Sequence, residues 1–189
     1  MDRETELTLV GGVRAGDEAA FDAVFAAFNP RLFGFLARLT GRREVAEDLL
    51  EETWLRFVRH ADRLDADTQL GAWLFAVARN LHVSHCRTRS VEAAVAGGLS
   101  LWPARAVETP FDATARNEFE QRLERGLAAL SAPLREALLL VAIEGMSASE
   151  AALVCGTTAV AIRQRVRRAR GLLAGQLGDV DQRRWRTGA

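Results

Sequence analysis

Between Gly145 and Leu177 the chain carries a punctuation that few folds can use. Ser147 followed three residues later by Glu150 is a capping-box pattern, in which each residue satisfies a backbone N–H that the first turn of a helix leaves open. The short helix so opened runs through Val154 and meets Gly156, a residue suited to a helix C-terminus, after which Thr157 or Thr158 can cap a long helix reaching to about Leu177. A short helix, a tight glycine turn and a long helix predict a helix-turn-helix. Ile162, Val166, Ala169 and Leu173 form one narrow apolar stripe on the long helix, which faces its own domain and leaves the remaining surface outward.

The rest of the chain is helical in pattern as well. Phe21, Val24, Phe25, Phe28, Leu32, Phe33, Leu36 and Leu39 recur at spacings of three and four between Asp17 and Thr40, with Asn29 and Pro30 predicting a break into two helices there and Gly41 a stop. A third helix is expected over Arg43 to Ala61, with Ala46, Leu49, Leu50, Thr53 and Phe57 inward, then a loop from Asp62 to Thr68. A fourth is expected from about Gln69 to Arg89, with Leu70, Trp73, Leu74, Val77, Ala78 and Leu81 at core spacing. From Ser90 to about residue 115 the periodicity fails and Gly97, Gly98, Pro103 and Pro110 accumulate, which reads as a linker, although Leu99, Leu101, Trp102 and Phe111 are apolar for a solvated tether. Helical pattern resumes at about Arg116, runs to Leu130, restarts after Pro133 and stops at Gly145. No strand is needed, so the expected fold is all-α: a four-helix domain over 1–89, a flexible linker over 90–115, a helix-turn-helix domain over 116–177 and a C-terminal tail over 178–189.

The formal net charge is zero, which at first argues against a nucleic-acid partner. The average hides the distribution. Every one of the 25 basic residues is Arg, and five of the eight positions from Arg163 to Arg170 carry one. Arg163, Arg167 and Arg170 cluster near one flank of the apolar stripe, Gln164 and Arg168 point away from it beside Val160 and Ala161, and the N-terminal turn from Thr158 is where a helix in the major groove meets base edges. A second basic segment, Arg79, His82, His85, Arg87 and Arg89 with Asn80 among them, follows Trp73 and Phe75 on the fourth helix. Basic and aromatic groups together suit single-stranded bases and their phosphates, although a Trp at core spacing, as Trp73 is, more often packs than serves as a stacking platform. Opposite in sign, Glu44, Glu47, Asp48, Glu51 and Glu52 crowd the third helix. Favourable interaction with the helix dipole accounts for Glu44 and extends to Glu47, and the repulsion among Asp48, Glu51 and Glu52 further in suits a basic protein partner.

Chemistry is sparse. His82, His85 and Cys86 have a spacing that can place three metal ligands on one face, but no fourth ligand is evident and Arg neighbours disfavour a cation. No phosphate-cradling glycine loop, nucleophile elbow or zinc-protease pattern is present, so neither catalysis, a cofactor, a metal nor a small-molecule substrate is expected. Cys86 and Cys155 form no CxxC pair and read as reduced packing residues. The longest apolar runs, such as Ala137 to Ile143, are short of a membrane span, and the acidic start Met1 to Glu6 is unlike a signal peptide, which predicts a cytoplasmic protein.

Two separated groups of motifs resemble the ECF (extracytoplasmic function) sigma factors of bacterial RNA polymerase, from about Asp17 to Leu177. Ala46-Glu47-Asp48-Leu49-Leu50-Glu51-Glu52-Thr53-Trp54 is similar to the family's AEDxxQExF element, and Ala72 to Asn80 to its xWLxxIARN element. Leu127 to Leu130 with Arg135 to Leu140, Glu144 to Ser147, and Ile162 to Arg170 resemble three further elements in the family's order. The resemblance implies a region 2 domain and a region 4 domain. Asp48, Glu51, Glu52 and Glu47 would dock on the beta-prime clamp helices of core polymerase, with the beta flap as a further contact. The loop Asp62 to Thr68 with Trp73, Arg79, Asn80, His82, His85, Arg87 and Arg89 would capture and melt the minus-10 element. Thr158, Val160, Ala161, Arg163, Gln164, Arg167 and Arg168 would read the minus-35 element. A cognate anti-sigma factor is a further implied partner. Glu51 stands where the family has Gln, Val160-Ala161-Ile162 where many members have Gly-Thr-Val, Gln164 where Ser is common, and Ser84 and Cys86 where Asp and Leu are frequent. Two other readings use parts of the same pattern: a stand-alone helix-turn-helix regulator, which needs no acidic third helix, and a sigma-mimicking interaction protein, which needs no DNA affinity.

Overall fold

The computed structural model describes residues 3–95 and 118–186, and eight α-helices carry them. The chain forms two compact units, the first built from α1 (Arg3–Arg14), α2 (Glu18–Thr40) as far as Ala37, α3 (Arg43–His60) from Glu44 on and α4 (Leu70–Val95). The second is built from α5 (Glu118–Ala129), α6 (Ala132–Leu138), α7 (Ala148–Cys155) and α8 (Ala159–Arg186). No strand occurs among the described residues. The apolar linker residues Leu99, Leu101, Trp102 and Phe111 lie outside them.

The first unit closes around an aromatic core. Phe35 of α2 meets Phe75 of α4 edge to face at 5.2 Å between ring centroids, and the α3 rings of Trp54 and Phe57 lie 5.7 Å apart. Phe57 reaches Phe21 at 5.9 Å and Trp73 at 5.8 Å, so one ring ties α2 and α4 to α3. Val24, Phe28, Leu32, Leu36, Leu70, Leu74 and Ala78 complete the interior.

The expected break at Asn29 and Pro30 does not occur: α2 runs unbroken through Pro30. An interior proline costs a helix about 3 kcal/mol. Burial of Phe28, Leu32, Phe35 and Leu36 on both sides of it exceeds that cost. Asn29, instead of capping a new helix, accepts a hydrogen bond from Trp54 Nε1 at 2.9 Å. The first helix, α1, was not among the expected elements; its Val10 and Val13 are buried, and its Gly12 lies so near α2 that an added Cβ would come within 2.6 Å of the Ala20 Cβ. Two helices run past their expected ends, α4 to Val95 and α8 to Arg186.

In the second unit, α5 and α6 are joined by a turn whose carbonyls are gathered by one side chain. Arg135 Nε donates to Leu127 O at 2.8 Å and Nη2 to Leu130 O at 3.0 Å and to Ala128 O, which satisfies acceptors that the end of α5 leaves open. Burial pushes the Arg135 pKa down, partly opposed by the adjacent Glu136 carboxylate. The helix expected to run on to Glu144 is α-helical only to Leu138 and continues as a π-turn, Leu139–Ile143. There Glu144 N donates to Leu139 O and Met146 N to Leu140 O, both at 3.0 Å, and Gly145 leaves with φ +70°. Burial is continuous from Glu136 to Leu140 across the change from α to π geometry.

Candidate nucleic-acid and partner interfaces

The helix-turn-helix is held by the caps its sequence announces. Glu150 N donates to Ser147 Oγ at 3.2 Å while Ser147 N donates to Glu150 Oε2 at 2.7 Å, completing the capping box of α7. At its other end Gly156 adopts φ +60°, with Gly156 N on Leu153 O and Thr157 N on Ala152 O, the paired bonds of a Schellman stop. Of the two candidate caps for α8, Thr158 is used: its Oγ1 accepts from Ala161 N at 3.2 Å.

Ile162, Val166, Ala169 and Leu173 are buried, which fixes the rotation of α8. Thr158, Val160, Arg163, Gln164, Arg167 and Arg168 are exposed and Ala161 is half-buried. Val160, Gln164 and Arg167, spaced by four and three, share the face opposite the buried stripe. Arg163, Arg167 and Arg170 also border an open cavity of about 350 Å³ floored by Val141, Ala148, Ile162 and Val166. The outward surface of α8 is thus a row of fork-shaped donors near the positive end of a helix dipole, and both favour phosphate, the Arg forks guanine edges as well.

On α4 the structure divides the residues that the sequence grouped. Trp73, Asn80 and Arg87 recur at seven-residue spacing on one outward face together with Ser84, and Asn80, Ser84 and Arg87 are exposed. Trp73 is half-buried, its ring 5.8 Å from Phe57 and 6.4 Å from His60, so it packs on α3 while keeping an open edge. Arg79 lies half-buried to one side. His82 is a correction to the DNA-facing set: it is buried, 6% exposed, because it continues the inward row of Phe75 and Ala78. Its ring nitrogens lie 3.7 and 3.9 Å from Cys86 Sγ one turn on. His85 is half-buried and Arg89 exposed, both on the side of α4 that carries the core row, away from the Trp73 face. Among the described residues no three His, Cys, Asp or Glu side chains converge as metal ligands.

The acids of α3 stand opposite its buried residues Ala46, Leu49, Thr53, Trp54 and Phe57. Glu47, Asp48 and Glu51 are exposed and Glu52 is half-buried, its Oε1 accepting from Arg56 Nε at 2.9 Å. Leu50, expected in the core, is only half-buried. Leu55 and Val58, 42% and 55% exposed, were not expected at this surface, yet they extend the acidic face toward the helix C-terminus. Their spacing from Glu51 and from each other, four and three, was the available signal.

Comparison with known proteins adds a family to this geometry. Residues 24–91 match the Sigma-70 region 2 family model and residues 120–173 match Sigma-70, region 4. The ECF RNA polymerase sigma factor EcfG of Rhodopseudomonas palustris (strain TIE-1) is 37% identical over 156 residues, 82% of this chain and 83% of its own. The RNA polymerase sigma factor CarQ of Myxococcus xanthus is 32% identical over 169 residues, 89% of this chain and 95% of its own. Among solved structures, the sigma factor RpoE from Bartonella quintana, crystallised with the anti-sigma factor NepR, superposes with a TM-score of 0.73 at 30% identity, covering 84% of this chain and 96% of that one. With both regions matched in order and such identity along most of its length, the chain belongs to the ECF sigma factors of the sigma-70 superfamily.

Proposed function

We propose that this protein is an initiation factor that binds core RNA polymerase and promoter DNA through both of its units, and so selects where transcription starts. The observation that carries the reading is the exposed acidic face of α3 in a chain that also presents an Arg-lined helix-turn-helix. A stand-alone DNA-binding regulator has no use for the former, and a sequestering mimic has none for the latter.

The roles divide by surface. Glu47, Asp48, Glu51 and Glu52 dock on the basic clamp helices of the beta-prime subunit, and the second unit also contacts the beta flap. Asn80, Arg79, Arg87 and the open edge of Trp73 hold the minus-10 strand, with the loop Asp62 to Thr68 receiving a base turned out of the stack. Arg89 and His85 reach phosphate only from the other side of α4, and His82 supports the helix from within. Thr158, Val160, Ala161, Arg163, Gln164, Arg167 and Arg168 contact the minus-35 element, the Arg residues through phosphates and guanine edges. The domain limits that serve these roles are 1–89, 90–115, 116–177 and 178–189, with α4 and α8 running past the first and third.

The protein contributes contacts and strand capture, while covalent chemistry belongs to the polymerase; it is not itself an enzyme. It acts in the cytoplasm, and among the described residues no helix is long and apolar enough to cross a membrane. The complex of RpoE with NepR supports a cognate anti-sigma factor as a further partner.

Run-off transcription with purified core polymerase over a genomic DNA library tests the function. The expected result is core-dependent transcripts from a limited set of promoters, lost when Glu51→Lys and Glu52→Lys are combined. Unchanged transcription after that charge reversal overturns the polymerase-docking role.

A further inference from the structure

α1 precedes residue 24, where the region 2 match begins, yet it grips the segment that the proposed function places at the minus-10 base. Arg3 Nη1 donates to Thr68 O at 3.4 Å and its Nη2 donates to Asp67 O, while Arg3 Nη1 pairs with Glu6 Oε2 at 2.9 Å. The other Glu6 oxygen, Oε1, accepts from Gly71 N at 3.3 Å in the first turn of α4. One ion pair on α1 therefore clasps both the last carbonyls of the loop and an open N–H of the helix that follows it. From the other side the loop is tied by Thr68 N to Asp65 O at 3.0 Å and anchored by buried Leu64. α1 itself is seated by Val10 and Val13 and by the close approach of Gly12 to Ala20.

We infer that Arg3 and Glu6 are positioning residues for minus-10 recognition, holding the Asp65–Thr68 stretch in one conformation before DNA arrives. The inference rests on the sigma-factor reading. The physical ground is that Asp65, Ala66 and Asp67 are exposed and the turn between Leu64 and Leu70 has few bonds of its own, so its conformation depends on the clasp. A loop held ready loses little entropy when a base enters it, and the benefit is greatest for the base whose fit depends on that one geometry. Arg3 touches no base. It acts through the loop backbone, and its removal therefore relaxes discrimination without creating a new contact.

The test uses full-length protein with core polymerase on a promoter recovered from the run-off selection and on derivatives with each minus-10 base replaced. Core affinity, thermal midpoint and open-complex yield are measured for wild type, Arg3→Ala, Arg3→Lys and Glu6→Gln. Arg3→Ala should reduce the ratio of open complex on the selected sequence to that on single-base derivatives by about fivefold, the size of one charge-assisted hydrogen bond lost at a partly exposed site. Core affinity should stay unchanged, and Arg3→Lys should recover part of the ratio. Unchanged discrimination in Arg3→Ala overturns the inference alone, as does a loss explained in full by weaker core binding or a lower midpoint. If wild type gives no core-dependent transcript, the sigma-factor reading itself has failed.

Discussion

Replacing Arg135 with Ala should release α5 from the helix-turn-helix unit, and the structure bounds by how much. Among the carbonyls that the guanidinium serves from a partly buried position are those of Leu127, Ala128 and Leu130. A hydrogen bond to a charged group contributes about 1.5–3 kcal/mol. Two opposing effects reduce the sum: desolvation of the cation, visible as its lowered pKa, and solvent screening of a group that is not fully enclosed. A net loss of about 2–3 kcal/mol follows for Arg135→Ala, because open carbonyls remain at the end of α5 with only water to satisfy them. Arg135→Lys keeps the charge but not the fork, reaches fewer of the carbonyls, and should cost about half as much. Because a two-unit chain need not unfold in one step, amide hydrogen exchange resolved to α5 and α6 is the suitable assay. Protection there should fall about 30- to 150-fold in Arg135→Ala. A fall of less than about threefold would show that apolar packing alone holds α5, and a lysine variant equal to wild type would show that charge, not planar geometry, matters.

Three further outcomes follow from single features. Pro30→Ala restores a backbone donor inside α2 and should raise the denaturation midpoint of the first unit, by up to about 3 kcal/mol in stability; a lower midpoint would mean the proline shapes the aromatic core. Gly156→Ala meets no atom within 4 Å but must hold φ +60°, so it should destabilise the helix-turn-helix by about 1 kcal/mol in denaturant titration, and a neutral result would mean the turn relaxes. Arg168→Ala should weaken holoenzyme binding to all promoters alike and lower the salt-dependence slope by about one, whereas a change confined to particular minus-35 sequences would make Arg168 a base reader.

Local chemistry was legible in the sequence wherever a residue's role is set by its immediate neighbours. Ser147, Glu150 and Gly156 act within one or two helical turns, and their caps form as the spacing requires. At Pro30 the local rule is outweighed by burial of Phe28, Leu32, Phe35 and Leu36, while Trp54, distant in sequence, gives Asn29 a partner other than its own backbone. His82 misled in a related way. A basic run suggests one surface, but α4 turns about 100° per residue and carries His82 inward while Asn80 and Arg87 face out. The clasp from Arg3 to the loop at Asp67 spans 64 residues and ends on backbone atoms, which leave no residue-type signature to find. The exposed pair Leu55 and Val58 was legible in spacing but not in charge, the property by which α3 stands out.

The zero net charge has a consequence for how the protein meets DNA. Non-specific binding scales with the phosphates a protein neutralises, and a chain whose acids equal its bases gains little from approaching DNA without orientation. If α3 docks on polymerase as proposed, its acidic face has two effects: it draws a basic partner and it weakens indiscriminate DNA binding by the free chain. In that arrangement polymerase covers those acids, the Arg faces act without that opposition, and DNA affinity would be conditional on the partner. Replacing Glu47, Asp48, Glu51 and Glu52 by Gln, Asn, Gln and Gln removes all four of these negative charges from a chain whose formal charge is zero and leaves it net basic. The free variant should bind non-cognate duplex more tightly than wild type at low salt, with the difference vanishing as the Debye length shrinks to about 3 Å near 1 M salt. It should also lose affinity for core polymerase. Equal non-cognate binding by the two proteins at low salt would show that the acids act on the polymerase alone, and that the balance of charge in this chain does not restrain its encounter with DNA.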